Sequence, residues 1–436
     1  MQKYSPSWSC RRCAFAVVLA VALGEPLADP AGAEGFRNPP AGAAALGRAG
    51  GKIALADDAA AIEHNPANLV NLTNAQVQVS LTAARSEVKF TSGLTGLTDK
   101  TEDPWKLLPD VFASMPLQGN KVALGLGITT PYGQSTEWSK TGQFRYTAPY
   151  FSELRLMNVN PTLAVRLSDT VSVGVGADIY VSDIDLRQNL PWSQVTGQPA
   201  PDGLVKMQGS GTGLGYNAAL TWQVTEQQRL ALTYRSSVTV KYSGHFAADN
   251  VPNVVQMLVA PRTDFNTEIA FPATTALGYS IQATDKLKLE ADVEWIQFSR
   301  YDTLDIDASA DNPLLHSKGD PTSPVAPLSI PQDWKNSWTL GVGAEYQLLP
   351  GLALRAGYIF IQTPIPDSTL APTLPDAHRH VVSVGLGFKH ERHALDVALV
   401  QSFFRDREIT NNQNPVYNGT YELAAQIVAG SYSFSF

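Results

Sequence analysis

From about residue 76 to its last residue the chain alternates apolar and polar positions with a period of two. In residues 338–348, Trp338, Leu340, Val342, Ala344, Tyr346 and Leu348 share one face, against Thr339, Gly341, Gly343 and Glu345 on the other. Residues 287–295 set Leu287, Leu289, Ala291, Val293 and Trp295 against Lys288, Glu290, Asp292 and Glu294. The series Val122, Leu124, Leu126, Ile128 and Val382, Val384, Leu386, Phe388 repeat the pattern. This is strand patterning with one apolar face. Turn spacing decides between a soluble sandwich and a barrel. Short polar turns at 118–121, 168–170, 225–229, 284–286, 349–351 and 389–393 alternate with longer loops near 91–106, 131–152, 187–209, 243–264, 299–335, 362–378 and 405–419. About fourteen strands result, with both termini on the short-turn side, the pattern of an outer-membrane barrel.

Aromatic residues supply a second check. Trp222, Tyr279, Tyr346 and Phe388 each lie a few residues before a short turn, as one interfacial girdle requires, and the chain ends with Tyr432, Phe434 and Phe436 in alternation. No segment beyond residue 33 has the roughly 18 consecutive apolar residues of a membrane helix.

The start of the chain is different. Lys3, Arg11 and Arg12 precede the apolar residues 14–23, and Ala31-Gly32-Ala33 follows. This predicts a signal peptide over residues 1–33, cleaved between Ala33 and Glu34. Both cysteines, Cys10 and Cys13, fall inside it, so the mature chain is expected to have no thiol chemistry. The net charge of −8 becomes −9 without that segment, which carries three basic and two acidic residues. An acidic chain with no basic run argues against nucleic acid. Charged residues make up 17 %, below the roughly 25 % of ordinary soluble domains, as expected where something other than water covers the surface.

Between the signal peptide and the first strand, residues 57–67 read as two short helical turns. Asp57 is expected to cap the first, with Asp58 in its opening turn and residues 59–64 helical; Asn65 caps the second, with Pro66 at its first position and Ala67 following. A paired-carboxylate catalytic site is the competing reading of Asp57-Asp58, and capping accounts for both residues without it. In the third strand, clean alternation to Thr130 is followed by Pro131, Tyr132 and Gly133. Proline lacks the N–H that a ladder needs, so these residues mark either the start of a loop or a break in the wall. No nucleophile elbow is present, and the histidine pairs 378/380 and 390/393 sit at opposite ends of one strand. Neither catalysis, a metal nor any other cofactor is expected.

The stretch "GFRNPPAGAAALGRAGGKIALADDAAAIEHNPANLVNL" resembles the N-terminal segment of the FadL-type outer-membrane transport proteins. "GLGITTPYGQSTEW", "LEADVEWIQFS", "WKNSWTLGVGAEY" and "LPDAHRHVVSVGLGF" continue the resemblance in family order. It implies an all-β fold: a fourteen-stranded antiparallel transmembrane barrel over 74–436, monomeric, with a helical hatch over 34–73 plugging its lumen. It also implies an outer-membrane uptake channel for long-chain fatty acids or, in one branch, aromatic hydrocarbons, and no enzyme. Substrate would leave sideways into membrane lipid through a kink at Pro131, Tyr132 and Gly133, with Asp57, Asp58, Asn65, Pro66 and Ala67 in the gate. Arg187 and Lys335 match positions that resemble the family's carboxylate-contacting cations. A general porin and an outer-membrane lipid hydrolase are the alternatives from other classes.

Overall fold

In the computed structural model, which describes residues 34–436 except 51, 56–57, 103–104, 256–260 and 309–327, fourteen antiparallel strands close into one barrel. They are β1 (Gln76–Ser92), β2 (Lys106–Leu117), β3 (Val122–Thr129, resuming as Gly133–Trp138), β4 (Phe151–Arg166), β5 (Val171–Leu190), β6 (Gly203–Gln223) and β7 (Gln228–Arg235, then Val238–Ala248). The circuit continues through β8 (Arg262–Phe271, then Thr274–Thr284), β9 (Leu287–Ile296, then Thr303–Ala308), β10 (Leu328–Pro331, then Ser337–Leu349), β11 (Leu352–Ile361), β12 (Arg379–His390), β13 (His393–Phe404) and β14 (Gly419–Ser435). Pairing of β1 with β14 from Gln76↔Ser435 to Ser92↔Gly419 closes the wall. Closure removes the edges that an open sheet would expose.

The alternation sorts side chains between lipid and lumen. Val77, Val79 and Leu81 of β1, Leu214, Leu220 and Trp222 of β6, and Trp338, Leu340 and Val342 of β10 are large apolar residues pointing outward and exposed. Their alternate neighbours Gln78, Ser80 and Thr82, and Ser337 and Thr339, are buried. A continuous apolar belt of this extent would be an aggregation surface in water and is the normal exterior of a membrane barrel. Trp222, Tyr279, Tyr346 and Phe388 all lie outward near the short turns, forming the expected girdle.

Residues 34–72 fill the lumen. The alanine-rich helix α1 (Ala43–Gly47) and Ala49 pack against Val381, Ala398, Val400, Ile427 and Ala429 of β12–β14. Helix α2 (Ala61–His64) and the 3-10 turn Pro66–Asn71 pack Ile62, Leu69 and Val70 on Phe112, Ala123 and Ala164 of β2–β4. Two inward glycines allow the backbones to touch. A Cβ on Gly341 would stand 2.5 Å from the Gly50 Cα, and one on Gly174 would stand 2.5 Å from the Ala67 nitrogen. The described helix begins at Ala61 rather than Ala59, with Ala60 at its N-cap and no side-chain cap; Asp58, just ahead of it, accepts the Ala60 N–H at 3.0 Å. Asp57 and Ala33 lie outside the described residues.

Candidate functional site

The hatch is fastened to β9 by carboxylates. Its charged face points into the lumen, where Glu290 accepts the backbone N–H groups of Ile53 (3.0 Å), Ala54 and Leu55 (2.7 Å), and Asp292 accepts that of Lys52 (3.1 Å). Glu294 is ion-paired with the Lys52 ammonium and, at 2.6 Å, with Arg37. From β7, Arg229 donates to the Ala54 carbonyl at 2.8 Å, and Arg235 bridges Glu63 of α2 (3.3 Å) and Asp178 of β5. Backbone N–H groups of an irregular buried segment need partners, and here acidic side chains of the wall provide them.

Asn65 and Asn68 form a second fastening, and both are fully buried. The Asn65 amide donates to the Ile53 carbonyl (2.9 Å) and to the Thr221 hydroxyl (2.8 Å), while its oxygen caps the 3-10 turn by accepting the Ala67 N–H (3.0 Å). Pro66 occupies the first position of that turn, where a missing N–H costs nothing. The Thr221 hydroxyl donates in turn to the Asn68 amide oxygen at 3.0 Å. The His64 ring donates to the Ala41 carbonyl (2.8 Å); burial, with Lys52 nearby, pulls its pKa down to about 3. Burial and the neighbouring Asp396 push Asp58 up to about 6.

At β3 the wall itself is interrupted. Pairing of β2 with β3 ends at Val111↔Ile128, leaving the outer residues of β2 paired to β1 alone. On the other side β3 and β4 pair as far as Thr129↔Asn158 and resume at Gly133↔Arg155, so three residues of β3 face two of β4. In between, β3 turns to the N-terminal segment: Asn38 N–H donates to the Pro131 carbonyl (3.0 Å), Gly133 N–H to the Phe36 carbonyl (2.8 Å), and the Asn38 amide to the Thr130 carbonyl (2.8 Å). A cavity of about 520 Å³ lies at the break. Its lining runs from lumenal Asn38, Leu156 and Ile427 to outward-facing Leu107, Met157 and Val181. A smaller cavity of about 70 Å³ between α1 and β11–β14, mostly apolar but bordered at one end by Glu34, Arg37, Lys52 and Arg379, shares Asn38, Pro39 and Ile427 with it. By contrast, the roughly 90 Å³ space beside α2 is bordered by Arg37, Lys52, Glu63, Asp110, Arg235 and Glu294.

Phe36 leads into the break. It is 3 % exposed, stacked on Trp334 with ring centres 5.1 Å apart. The rings of Tyr132, Phe271, Phe298 and Tyr301 meet it edge-on between 5.2 and 5.9 Å. Such edge-to-face contacts are the preferred geometry of aromatic clusters.

The two cations expected at a binding site stand elsewhere. Arg187 shares its strand face with Val181 and Asp183, which point outward; it is paired with Asp185 at 2.8 Å and lies over the Phe151 ring at 4.5 Å. Lys335 is exposed, while its neighbour Trp334 is buried. Neither lines the three cavities described above, because strand parity turns Arg187 away from the lumen and Lys335 lies in the loop before β10 resumes at Ser337. Arg37, Lys52, Glu290 and Glu294 were missed as site residues; the run Lys288, Glu290, Asp292, Glu294 on one strand face was the available signal. Glu34 is buried and bonded to Ser337 and Thr339 at 3.0 and 3.2 Å.

Comparison with known proteins bears on the whole chain. A family model described as "Outer membrane protein transport protein (OMPP1/FadL/TodX)" matches residues 26–436. An outer membrane protein of Neisseria meningitidis is 26 % identical over 81 % of this chain and 82 % of its own length. The long-chain fatty acid transport protein of Salmonella typhi is 23 % identical over 97 % of this chain and 98 % of its own. Among solved structures, a Pseudomonas aeruginosa FadL homologue superposes with a TM-score of 0.79 at 21 % identity, covering 92 % of this chain and 100 % of that one. The Ralstonia pickettii toluene transporter TbuX gives 0.69 at 18 % identity, covering 91 % and 99 %. The chain belongs to the FadL/TodX family of outer-membrane transport proteins.

Proposed function

We propose that this outer-membrane protein is an uptake channel for hydrophobic compounds, long-chain fatty acids first among them, which pass from the lumen into membrane lipid at the interrupted third strand. The cavity of about 520 Å³ carries this reading, because its lining extends from the hatch to the lipid-facing surface without a covalent or hydrogen-bonded barrier between β2 and β3. The adjoining apolar slot at Leu46, Ile359, Val381 and Val400 supplies further space for a chain. Each buried methylene contributes about 0.8 kcal/mol, so affinity comes mainly from these apolar walls. The way straight through the hatch is unfavourable for the same cargo. There it would have to part the ion pairs of Arg37, Lys52, Glu63 and Glu294 without replacing them. The relatives named for long-chain fatty acid transport support the substrate class. Asn65, Pro66 and Ala67, with Asp58, set the position of the plug in this scheme, and Glu34 begins it once the signal peptide is removed.

Aromatic hydrocarbons are the second reading, favoured by the ring-lined surroundings of Phe36 and by the toluene transporters of the same fold. One variant tests the route for either cargo. Leu108→Trp places a large ring in the cavity without touching the ladder. In cells lacking their own importers, it should lower uptake of labelled oleate and toluene by about tenfold while the barrel still shows heat-modifiable migration. Undiminished uptake of both would overturn the lateral route.

A further inference from the structure

The break in β3 lies where the apolar belt of the barrel ends. On β1 the outward series Val77, Val79, Leu81, Ala83 gives way to Arg85; on β4, Val159 and Met157 give way to Arg155; on β5, Ile179 and Val181 give way to Asp183. The cavity spans this border. Leu107, Met157 and Val181 line its apolar side, and Arg85, Lys106, Arg155, Glu153 and Asp183 line its polar side.

Lys106 differs from the other cations near the lumen. On β2 the side chains of Leu107 and Pro109 are exposed on the outer face, so Lys106 is on the lumenal parity, half-buried and opposite Ala84 of β1. Among the described residues no carboxylate lies within ion-pairing distance of its ammonium. Other lumenal cations are occupied: Arg37 and Lys52 by Glu294, Arg48 by Glu345, Arg235 by Asp178 and Glu63, Arg355 by Glu345 and Asp396, and Arg379 by Asp376.

We propose that Lys106 positions the carboxylate of an anionic amphiphile at the membrane border while its chain passes through the break. The inference rests on the lateral route proposed above. A carboxylate taken into hydrocarbon loses its hydration at a cost that apolar contacts cannot offset. Held by Lys106 at the edge of the belt, the head group never has to cross that medium. The chain beside it can slide over Leu108, Pro109 and Leu156 toward lipid. A neutral compound gains nothing from this cation, so Lys106 acts on selectivity between charged and uncharged cargo rather than on opening the route.

The test compares two cargoes of equal chain, oleate and oleyl alcohol, in cells carrying the wild-type protein, Lys106→Gln or Lys106→Arg. Loss of one charge-assisted hydrogen bond corresponds to about a tenfold change. Lys106→Gln is therefore expected to lower oleate uptake about tenfold and leave oleyl alcohol within about twofold, and Lys106→Arg to restore oleate. Equal loss for both cargoes, or unchanged oleate uptake, would overturn the role of Lys106 while leaving the lateral route intact. Wild-type protein that admits neither cargo would overturn both.

Discussion

The hatch is bonded differently at two of its contacts with the barrel wall. At β9 it takes its hydrogen bonds from side chains: Glu290 and Asp292 accept four backbone N–H groups, and the strand keeps its own ladder to β8 and β10. At β3 it takes them from the backbone, so Phe36 and Asn38 pair with Pro131 and Gly133 and the wall's ladder fails at that point. A peptide group that pairs inward cannot also pair sideways. The difference teaches that this wall's ladder is interrupted where the plug takes main-chain partners, and is kept where acidic side chains supply them.

Removing the side-chain partner at β9 is the harshest way to break this comparison. Glu290→Ala leaves three buried N–H groups unsatisfied, at about 1–3 kcal/mol each. The hatch is expected to undock, and purified protein in planar bilayers should show steady ion conductance where the wild type is nearly silent. Asn65→Ala should loosen the hatch less, since it uncaps the Ala67 N–H while Asn68 still bonds the Ile53 carbonyl and the Thr221 hydroxyl; expected is a several-fold loss of oleate uptake with a normally assembled barrel. Pro131→Val sharpens the other side, by restoring an N–H and a strand-forming side chain at the break. Uptake should fall about threefold, and less than for Leu108→Trp.

Acid should loosen the hatch through His64. Its folded pKa, about 3, lies below the ordinary value, so the neutral ring stabilises docking fully above about pH 6.5 and that contribution is lost as pH falls toward 3. The slope is roughly 1.4 kcal/mol per pH unit once below 6.5, as an upper bound. Amide protection across residues 41–72, corrected for the intrinsic slowing of exchange by acid, should weaken between pH 7.5 and 5, and His64→Gln should flatten that dependence. Asp58 works in the opposite sense between about pH 4 and 6, where its ionisation opposes docking. The smallest effect is expected from Arg187→Ala with Lys335→Ala, which should leave oleate binding within about twofold; a large loss would bring the outer rim back into the site.

Much of the architecture was legible because strand periodicity is a local property. Residues 287–295 display a lipid face and a charged face without any knowledge of their neighbours, and the order of short turns and long loops follows directly. The Asn65-Pro66 turn was legible for the same reason, since a cap and its N–H lie two residues apart. Even the outward placement of Arg187 was available, because it shares parity with Val181 and Asp183. The break was half legible: Pro131 and Gly133 announce irregularity, and two readings of it were open. Choosing between them required knowing that Asn38 arrives from 92 residues away to pair with Thr130.

By itself, then, the chain determined a fourteen-stranded barrel with an apolar belt and aromatic girdle, preceded by short helical turns, since each follows from the spacing of residues along one strand or turn. Only the tertiary structure decided what the charged lumenal face bonds, where the wall's pairing is interrupted and that Lys106 lines the cavity there. Glu290 holds residues 236 positions away, and Arg37 meets Glu294 across the lumen. Such contacts depend on how the barrel curls around its plug, and no local pattern encodes which face a distant backbone will reach.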